Sequence, residues 1–306
     1  MKVVSVINNK GGVGKTTVTA NLGSYAASRN RRVLMIDVDP QTNLTFSFMS
    51  DYEWKTRCAN KTMLQFLSPI INNGPSVALE SLVTNISLFS TQVKFDLICS
   101  HSGLVNLDIS LAQRLGESGT EQSAENFLTV FGYIKNALDN MKRDETYDLV
   151  LIDCPSSFNI VTKAAFAASD YYVVPVQLDQ FSLSGLDLLT KKNASSFIEE
   201  YNSCCQQVSE GKNEAINPQN IGVLPVMVSY AKGTTLIKAQ SKVVAQLKKD
   251  KQPLFETYIQ DNPTFFQAAQ EMCIPAVLSP INLPIPKTIK TELAAIGDEF
   301  IKRTGI

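Results

Sequence analysis

The run Lys10-Gly-Gly-Val-Gly-Lys-Thr-Thr17 constrains this chain more than any other stretch. It follows a β-branched segment, Val3–Ile7, bounded by Asn8 and Asn9. It opens a segment, Thr16–Arg29, that carries Val18, Leu22, Tyr25 and Ala26 at helical spacing. Strand, glycine-rich turn and helix in that order are the context of a phosphate-binding loop. Gly11, Gly12 and Gly14 allow the backbone to turn several N–H groups toward phosphate oxygens. The helix N-terminus adds partial positive charge. Lys15 is placed to reach β- and γ-phosphates, and Thr16 to offer its hydroxyl to Mg²⁺. Lys10, Gly11, Gly12, Val13, Gly14, Lys15, Thr16 and Thr17 are therefore the expected phosphate contacts of ATP. The usual spacing G-x-x-x-x-G-K-S/T would put its first glycine at position 9. Asn9 stands there instead, and Lys10 follows.

The same grammar repeats along the chain. Arg31-Arg32 precede a short apolar run, Val33–Asp37, and Tyr147–Asp153 and Tyr171–Val176 are further strands. Helices are expected over Asn159–Ala168, Leu183–Tyr201, Leu236–Lys249 and Lys290–Arg303, with a strand at Ile221–Met227 and a shorter one at Leu254–Ile259. Alternating strands and helices imply an α/β fold: a doubly wound, mostly parallel sheet flanked by helices, as in P-loop NTPases. Phe46–Phe95 is less regular, with turn residues at Asn72-Asn73-Gly74-Pro75. It reads as a helical excursion over about 46–95 that returns to the sheet near Phe95–Cys99. Ser209–Pro218 reads as a surface loop. No repeat or linker divides residues 1–306, so one domain is expected.

Two acidic runs sit where strands end. In Asp37-Val-Asp-Pro-Gln-Thr-Asn43, carboxylates at i and i+2 share one side of an extended chain. At the carboxyl edge of a parallel sheet they fall beside the phosphate site. Tyr147–Asp153 is an apolar strand ending in an acid, the pattern that holds magnesium through water. Thr16 and Asp153 are the expected magnesium residues.

Composition excludes several classes. The chain is 44% hydrophobic and 19% charged, which supports a large core and argues against extensive disorder. A net charge of -1 means that any nucleic-acid surface is a local patch. One histidine, His101, excludes a multi-histidine metal site. Cys58, Cys99, Cys154, Cys204, Cys205 and Cys273 include no C-x-x-C pair, so they read as reduced thiols. No secretory h-region and no apolar run of about 18 residues is found, so a cytoplasmic location is expected.

The loop variant K-G-G-x-G-K-S/T resembles the deviant Walker A motif of the ParA/MinD family. Asp37–Asn43 is similar to that family's D-x-D-P-Q-x-N segment. Val174–Leu186 resembles its V-P-x-Q…G-L stretch, and Asp261–Ala269 looks more loosely like a late segment. The likeness runs along nearly the whole chain. It implies an ATPase that dimerises with two ATP molecules sandwiched between subunits, and Lys10 is then the lysine that crosses to the partner's phosphates. Asp39 is implied to orient the attacking water, so Lys10, Lys15 and Asp39 form the expected catalytic set. Asp37 is implied to support the magnesium shell. Met227 and Pro263 are candidates near the base. Cys154-Pro-Ser-Ser157 departs from the family, which more often has a small residue and two prolines there. The family further implies weak intrinsic ATPase activity, stimulation by a ParB-like adaptor, ATP-dependent binding of nonspecific DNA and nucleoid association. No additional DNA-binding domain is expected before the loop.

Lys232, Lys238, Lys242, Lys248, Lys249 and Lys251 lie within Ala231–Lys251, with Asp250 the only acid. Lys238, Lys242 and Lys249 share a helical face. Lysine contacts to phosphates are sequence-independent and salt-sensitive, so Lys232, Lys238, Lys242 and Lys249 are the DNA candidates. A second reading is a MinD-like membrane-cycling or protein-cargo-positioning ATPase. Glu292, Asp298 and Glu299 would be repelled by anionic lipid, so the closing helix reads as packed and no stable membrane anchor is expected. An iron–sulfur carrier would need bridging cysteines, and no suitable pair is seen.

Overall fold

In the computed structural model, residues 1–88, 91–116, 120–208, 214–233, 235–280 and 287–306 are described. Seven strands build the main sheet: β1 Lys2–Val6, β2 Val33–Asp37, β3 Thr84–Leu88, β4 Val93–Ile98, β5 Leu149–Asp153, β6 Tyr171–Gln177 and β7 Gln219–Val226. Their order is β3-β4-β2-β5-β1-β6-β7. All neighbours pair in parallel except β3 with β4. This is the doubly wound, mostly parallel sheet that the alternation of elements implies. A small hairpin of β8 (Tyr230–Lys232) and β9 (Thr235–Leu236) follows β7.

The central strands are apolar throughout because helices cover both sheet faces. Successive residues serve opposite layers: Val3 and Ile7 belong to one core, Val4 and Val6 to the other. Helix Lys15–Ser28 and the closing helix Lys287–Thr304 pack on the second layer, through Val18, Leu22, Ile296 and Phe300. Helices Leu104–Gly116, Thr120–Arg143 and Ile160–Ala167 pack on the first, through Leu107, Leu128, Ile134 and Phe166.

Several elements differ from expectation. The excursion does contain short helices at Asn43–Phe46, Asp51–Arg57, Met63–Leu67 and Pro69–Asn72, but it ends in β3, an antiparallel edge strand. Helices Leu104–Gly116 and Thr120–Arg143, which share the first layer with Ile160–Ala167, are elements that the strand-helix alternation does not name. Leu254–Ile259 is not a strand: one isolated bridge joins Leu254 to Val223 of β7, and a second joins Gln260 to Val228 beyond it. Pro225 in β7 accepts the Ile259 N–H but has no N–H to return. Leu236 lies in β9, paired with Tyr230, so the next helix begins at Lys238. The helix expected at Leu183–Tyr201 starts at Gln180, where Asp179 caps the Ser182 N–H at 2.8 Å. It passes through a π-helical stretch, Leu188–Ala194, and continues to Gln207. Of the Ser209–Pro218 loop, residues 209–213 lie outside the described residues, and 214–218 form no helix or strand.

Candidate functional site

The carboxyl ends of β1, β2 and β5 meet at one point of the sheet, and the loop from Lys10 to Gly14 lies over it. Asn8 anchors this loop. Its amide donates to the Pro175 carbonyl at 2.7 Å, and its oxygen accepts the Lys10 N–H at 2.9 Å. Gly12 and Gly14 take φ of +70° and +72°, where a Cβ is disfavoured. Gly14 immediately precedes helix Lys15–Ser28, whose start has no side-chain cap. Unpaired N–H groups at such a helix start suit an anion.

Three polar networks converge here. Lys15 is only 6% exposed, and its ammonium donates to Ser156 Oγ at 2.8 Å and to the Lys10 carbonyl at 3.4 Å. Burial lowers its pKa, while Asp153 and Asp39 pull it back up. Thr16 donates its hydroxyl to Asp153 Oδ2 at 2.7 Å, and Thr19 to Oδ1 at 3.0 Å. Asp153 is fully buried, which pushes it up to about 7 against the pull of those hydroxyls.

Asp37 lies in register with Asp153 across β2 and β5. Burial, and then the neighbouring Asp153, raise Asp37 as well. Its carboxylate is spent on Thr45, which gives N–H and hydroxyl at 2.8 Å each, and on the Asp39 N–H at 3.1 Å. Thr45 Oγ1 also accepts the Ser100 N–H, and the Ser100 hydroxyl holds the Asp39 carbonyl at 2.6 Å. Asp39 itself opens onto the cavity, whereas Asp37 does not line it.

Lys10 points elsewhere. Its ammonium lies 2.7 Å from Asp179 Oδ2 and 3.3 Å from Ser182 Oγ, at the start of helix Gln180–Asp187.

A cavity of about 500 Å³ is lined by Gly12 to Thr17, Asp39 and Ser156 together with Met227, Pro263 and Phe266, whereas Lys10 and Asp153 are not among its lining residues. Met227 and Pro263 thus share a cavity with the loop although roughly 210 and 250 residues separate them from it in sequence. Helix Pro263–Glu271, capped by Asn262, and the following turn supply further walls: Gln267, Gln270, Ile274, Pro275 and Ala276. Asn21 ties that turn to the loop helix by accepting the Val277 N–H at 2.8 Å and donating to the Thr17 carbonyl at 2.7 Å. Sequence reasoning missed Asn21, Ser156, Phe266 and Gln270. Only the Asn262-Pro263 helix start gave a local signal for this wall.

The arrangement fits a nucleoside triphosphate with Mg²⁺. Free helix-start N–H groups and Lys15 suit the phosphates, and the Thr16 hydroxyl with Asp153 suits a hydrated Mg²⁺, which takes one or two carboxylates rather than a full protein cage. A divalent cation there would also lower the cost of keeping two adjacent buried carboxylates ionised. Among the described residues, no cluster of three His, Cys, Asp or Glu side chains suited to a metal is found. Cys154 is buried and its thiol is pushed up by burial and by Asp153, so it is no thiolate.

Helix Lys238–Lys249 turns Val243, Val244 and Leu247 inward. Lys238, Lys242, Lys248 and Lys249 stay exposed and form no ion pair among the described residues. The Lys232 side chain lies outside the described residues.

A mostly parallel sheet with a phosphate loop after the interior strand β1 and an acid ending the neighbouring β5 defines a P-loop nucleoside-triphosphate-binding protein. A family model described as "AAA domain" (AAA_31) matches residues 1–206. The sporulation initiation inhibitor protein Soj of Bacillus subtilis is 30% identical over 188 residues, 61% of this chain and 63% of its own length. The chromosome-partitioning ATPase Soj of Thermus thermophilus is 30% identical over 245 residues, 80% of this chain and 75% of its own. Among solved structures, the ATP complex of a Cyanothece McdA variant superposes with a TM-score of 0.71 at 20% identity, over 100% of this chain and 97% of that one. The chain belongs to the ParA-type family of P-loop ATPases. It spans less than two thirds of the length of the Bacillus relative.

Proposed function

We propose that this chain is an ATP-dependent partition ATPase that switches between monomer and ATP-bound homodimer. In the ATP state it binds nonspecific DNA, and with a ParB-like adaptor it segregates or positions a plasmid or chromosome. The observation that carries the reading is the single cavity joining the phosphate loop, Asp39 and the distant Met227 and Pro263. In it, the loop N–H groups and Lys15 hold the phosphates and Thr16 and Asp153 hold Mg²⁺. Asp37 supports that shell by fixing the backbone of Asp39. Asp39 orients the attacking water, and Lys10 from the partner neutralises charge on the transferred phosphoryl group. Met227 and Pro263 flank the base. Activity is weak until the adaptor binds, and the protein works in the cytoplasm on the nucleoid.

The exposed lysine face of helix Lys238–Lys249 supports the DNA step, because exposed lysines neutralise backbone phosphates without reading sequence. A membrane-cycling role has less support. The closing helix spends its apolar face on the core, with Ile289, Leu293, Ile296 and Phe300 all buried. No described helix is long and apolar enough to cross a membrane.

The test is DNA binding with and without ATP. The parent should bind unrelated duplexes only with ATP, and Lys238→Glu with Lys242→Glu should remove that binding while ATP turnover without DNA persists. Unchanged affinity and an unchanged salt slope in the double variant would show that DNA does not use this face.

A further inference from the structure

A second cavity, of about 370 Å³, shares no lining residue with the nucleotide cavity. Lys163 of helix Ile160–Ala167 and Phe158, just before that helix, contribute to it. The rest comes from the long helix that continues to Gln207. Asn193, Ser196, Phe197 and Glu200 recur there at the spacing of one helical face, and Lys192 lines the cavity with them. Lys192 and Asn193 belong to the π-helical stretch, a rare form of helix that recurs at functional sites.

The cavity joins aromatic surface to unpaired positive charge. The Phe158 and Phe197 rings meet edge to face with centroids 6.1 Å apart. Lys163 is half-buried, and its ammonium lies 5.5 Å from the Phe197 centroid and 5.8 Å from that of Phe131. Ring faces leave the three N–H donors of an ammonium without an oxygen acceptor. Among the described residues, neither the Lys163 nor the Lys192 ammonium forms an ion pair or a hydrogen bond. Glu200 is the one acid lining the cavity, and it stands eight residues beyond Lys192, roughly 12 Å along the helix. Two ammonium groups against one carboxylate leave an excess of one positive charge. That balance suits a single negative charge carried next to an apolar group. A nucleic-acid backbone fits less well, because it brings a row of charges toward Glu200 and no apolar group for the rings.

We propose that this cavity is a docking site for an acidic peptide segment of a partner protein. The segment places a carboxylate on Lys163 and Lys192 and an adjacent apolar side chain against Phe158 and Phe197. Asn193 and Ser196 supply hydrogen bonds to its backbone. Phe158 stands two residues beyond Ser156, whose hydroxyl accepts the Lys15 ammonium, so a partner docked here lies next to the chain that holds Lys15.

The experiment is a saturation-transfer NMR titration of the full chain with two probes, N-acetyl-Phe-Glu-amide and its neutral counterpart N-acetyl-Phe-Gln-amide. The acidic probe should bind roughly tenfold more tightly than the neutral one, the worth of a hydrogen bond to a charged group. Lys163→Met keeps an unbranched stem over the rings and removes the charge, so it should bring the acidic probe down to the level of the neutral one. Lys192→Met, at an exposed position, should weaken the acidic probe in the same direction and keeps the test open if Lys163→Met does not fold. Equal binding of the two probes, no binding of either at millimolar concentration, or a preference that survives the lysine substitutions overturns the proposal. A short DNA duplex that displaces the acidic probe from the parent but not from Lys238→Glu with Lys242→Glu leaves it standing; displacement from both assigns the cavity to nucleic acid and overturns it.

Discussion

If Lys10 crosses to a partner's phosphates in the proposed ATP-bound dimer, it must first leave Asp179, so replacing that acid should strengthen that dimer. The informative change is Asp179→Asn. Asp179 has two tasks: one oxygen pairs with the Lys10 ammonium at 2.7 Å, and the other caps helix Gln180–Asp187 through the Ser182 N–H at 2.8 Å. Asparagine caps helices as well as aspartate does, so the helix start survives while the charge is lost. The Lys10 and Asp179 side chains are 37% and 39% exposed, which puts the pair among exposed ion pairs of about 0.2–1 kcal/mol. A dimer releases two such pairs, so the difference is about 0.4–2 kcal/mol, or roughly 2- to 30-fold in the dimer dissociation constant. Asparagine can still accept one neutral hydrogen bond from Lys10, which puts the expectation in the lower part of that range. The assay is sedimentation velocity with ATP across a protein concentration series. The gap between variant and parent should narrow from about 0.05 M to about 0.5 M salt as the ion pair is screened. A variant that dimerises no better than the parent at low salt, with its unfolding midpoint unchanged, would refute the idea that Asp179 restrains Lys10.

Other substitutions separate the roles in the loop and the packing beneath it. Lys10→Ala should keep nucleotide affinity in the monomer but lose ATP-dependent dimerisation and turnover. Lys15→Ala should weaken nucleotide binding itself; fluorescent-nucleotide titration and gel filtration with ATP distinguish the two. Gly297→Ala should destabilise the fold by about 1–2 kcal/mol in urea unfolding: overpacking costs about 1–3 kcal/mol, and relief of a helical glycine returns up to about 1. The clash is specific, since the new Cβ would fall 2.1 Å from Tyr25 Cδ1, and that ring is fixed by its hydroxyl bond to Asp298. A Gly297→Ala midpoint at or above the parent's would show that the closing helix shifts freely over helix Lys15–Ser28.

Much of the site was legible because its chemistry is local. The phosphate loop needs its glycines, Lys15 and Thr16 within a few residues, between a strand and a helix, and the sequence displays all of them together. Asp153 was readable because a buried strand ending in an acid is a strong contrast in five residues. The edge strand Thr84–Leu88 was harder, since its alternation of buried and exposed positions is only five residues long and follows irregular chain. Leu254–Ile259 has the composition of a strand, but Pro225 of its neighbour denies it a continuous ladder.

By itself, then, the sequence determined the α/β alternation, the loop at Lys10–Thr17 and the acids that face it, because each depends on residues close along the chain. Tertiary structure alone decided which of Asp37 and Asp39 opens to the cavity, since Thr45 and Ser100 fold back to claim one and set the other. It also decided that Lys10 rests on Asp179 and Lys15 on Ser156, partners 169 and 141 residues away. Those pairings follow from β1 lying between β5 and β6, which sets their following loops on either side of the phosphate loop. No local pattern encodes that neighbourhood, because strand order is fixed by packing over the whole sheet.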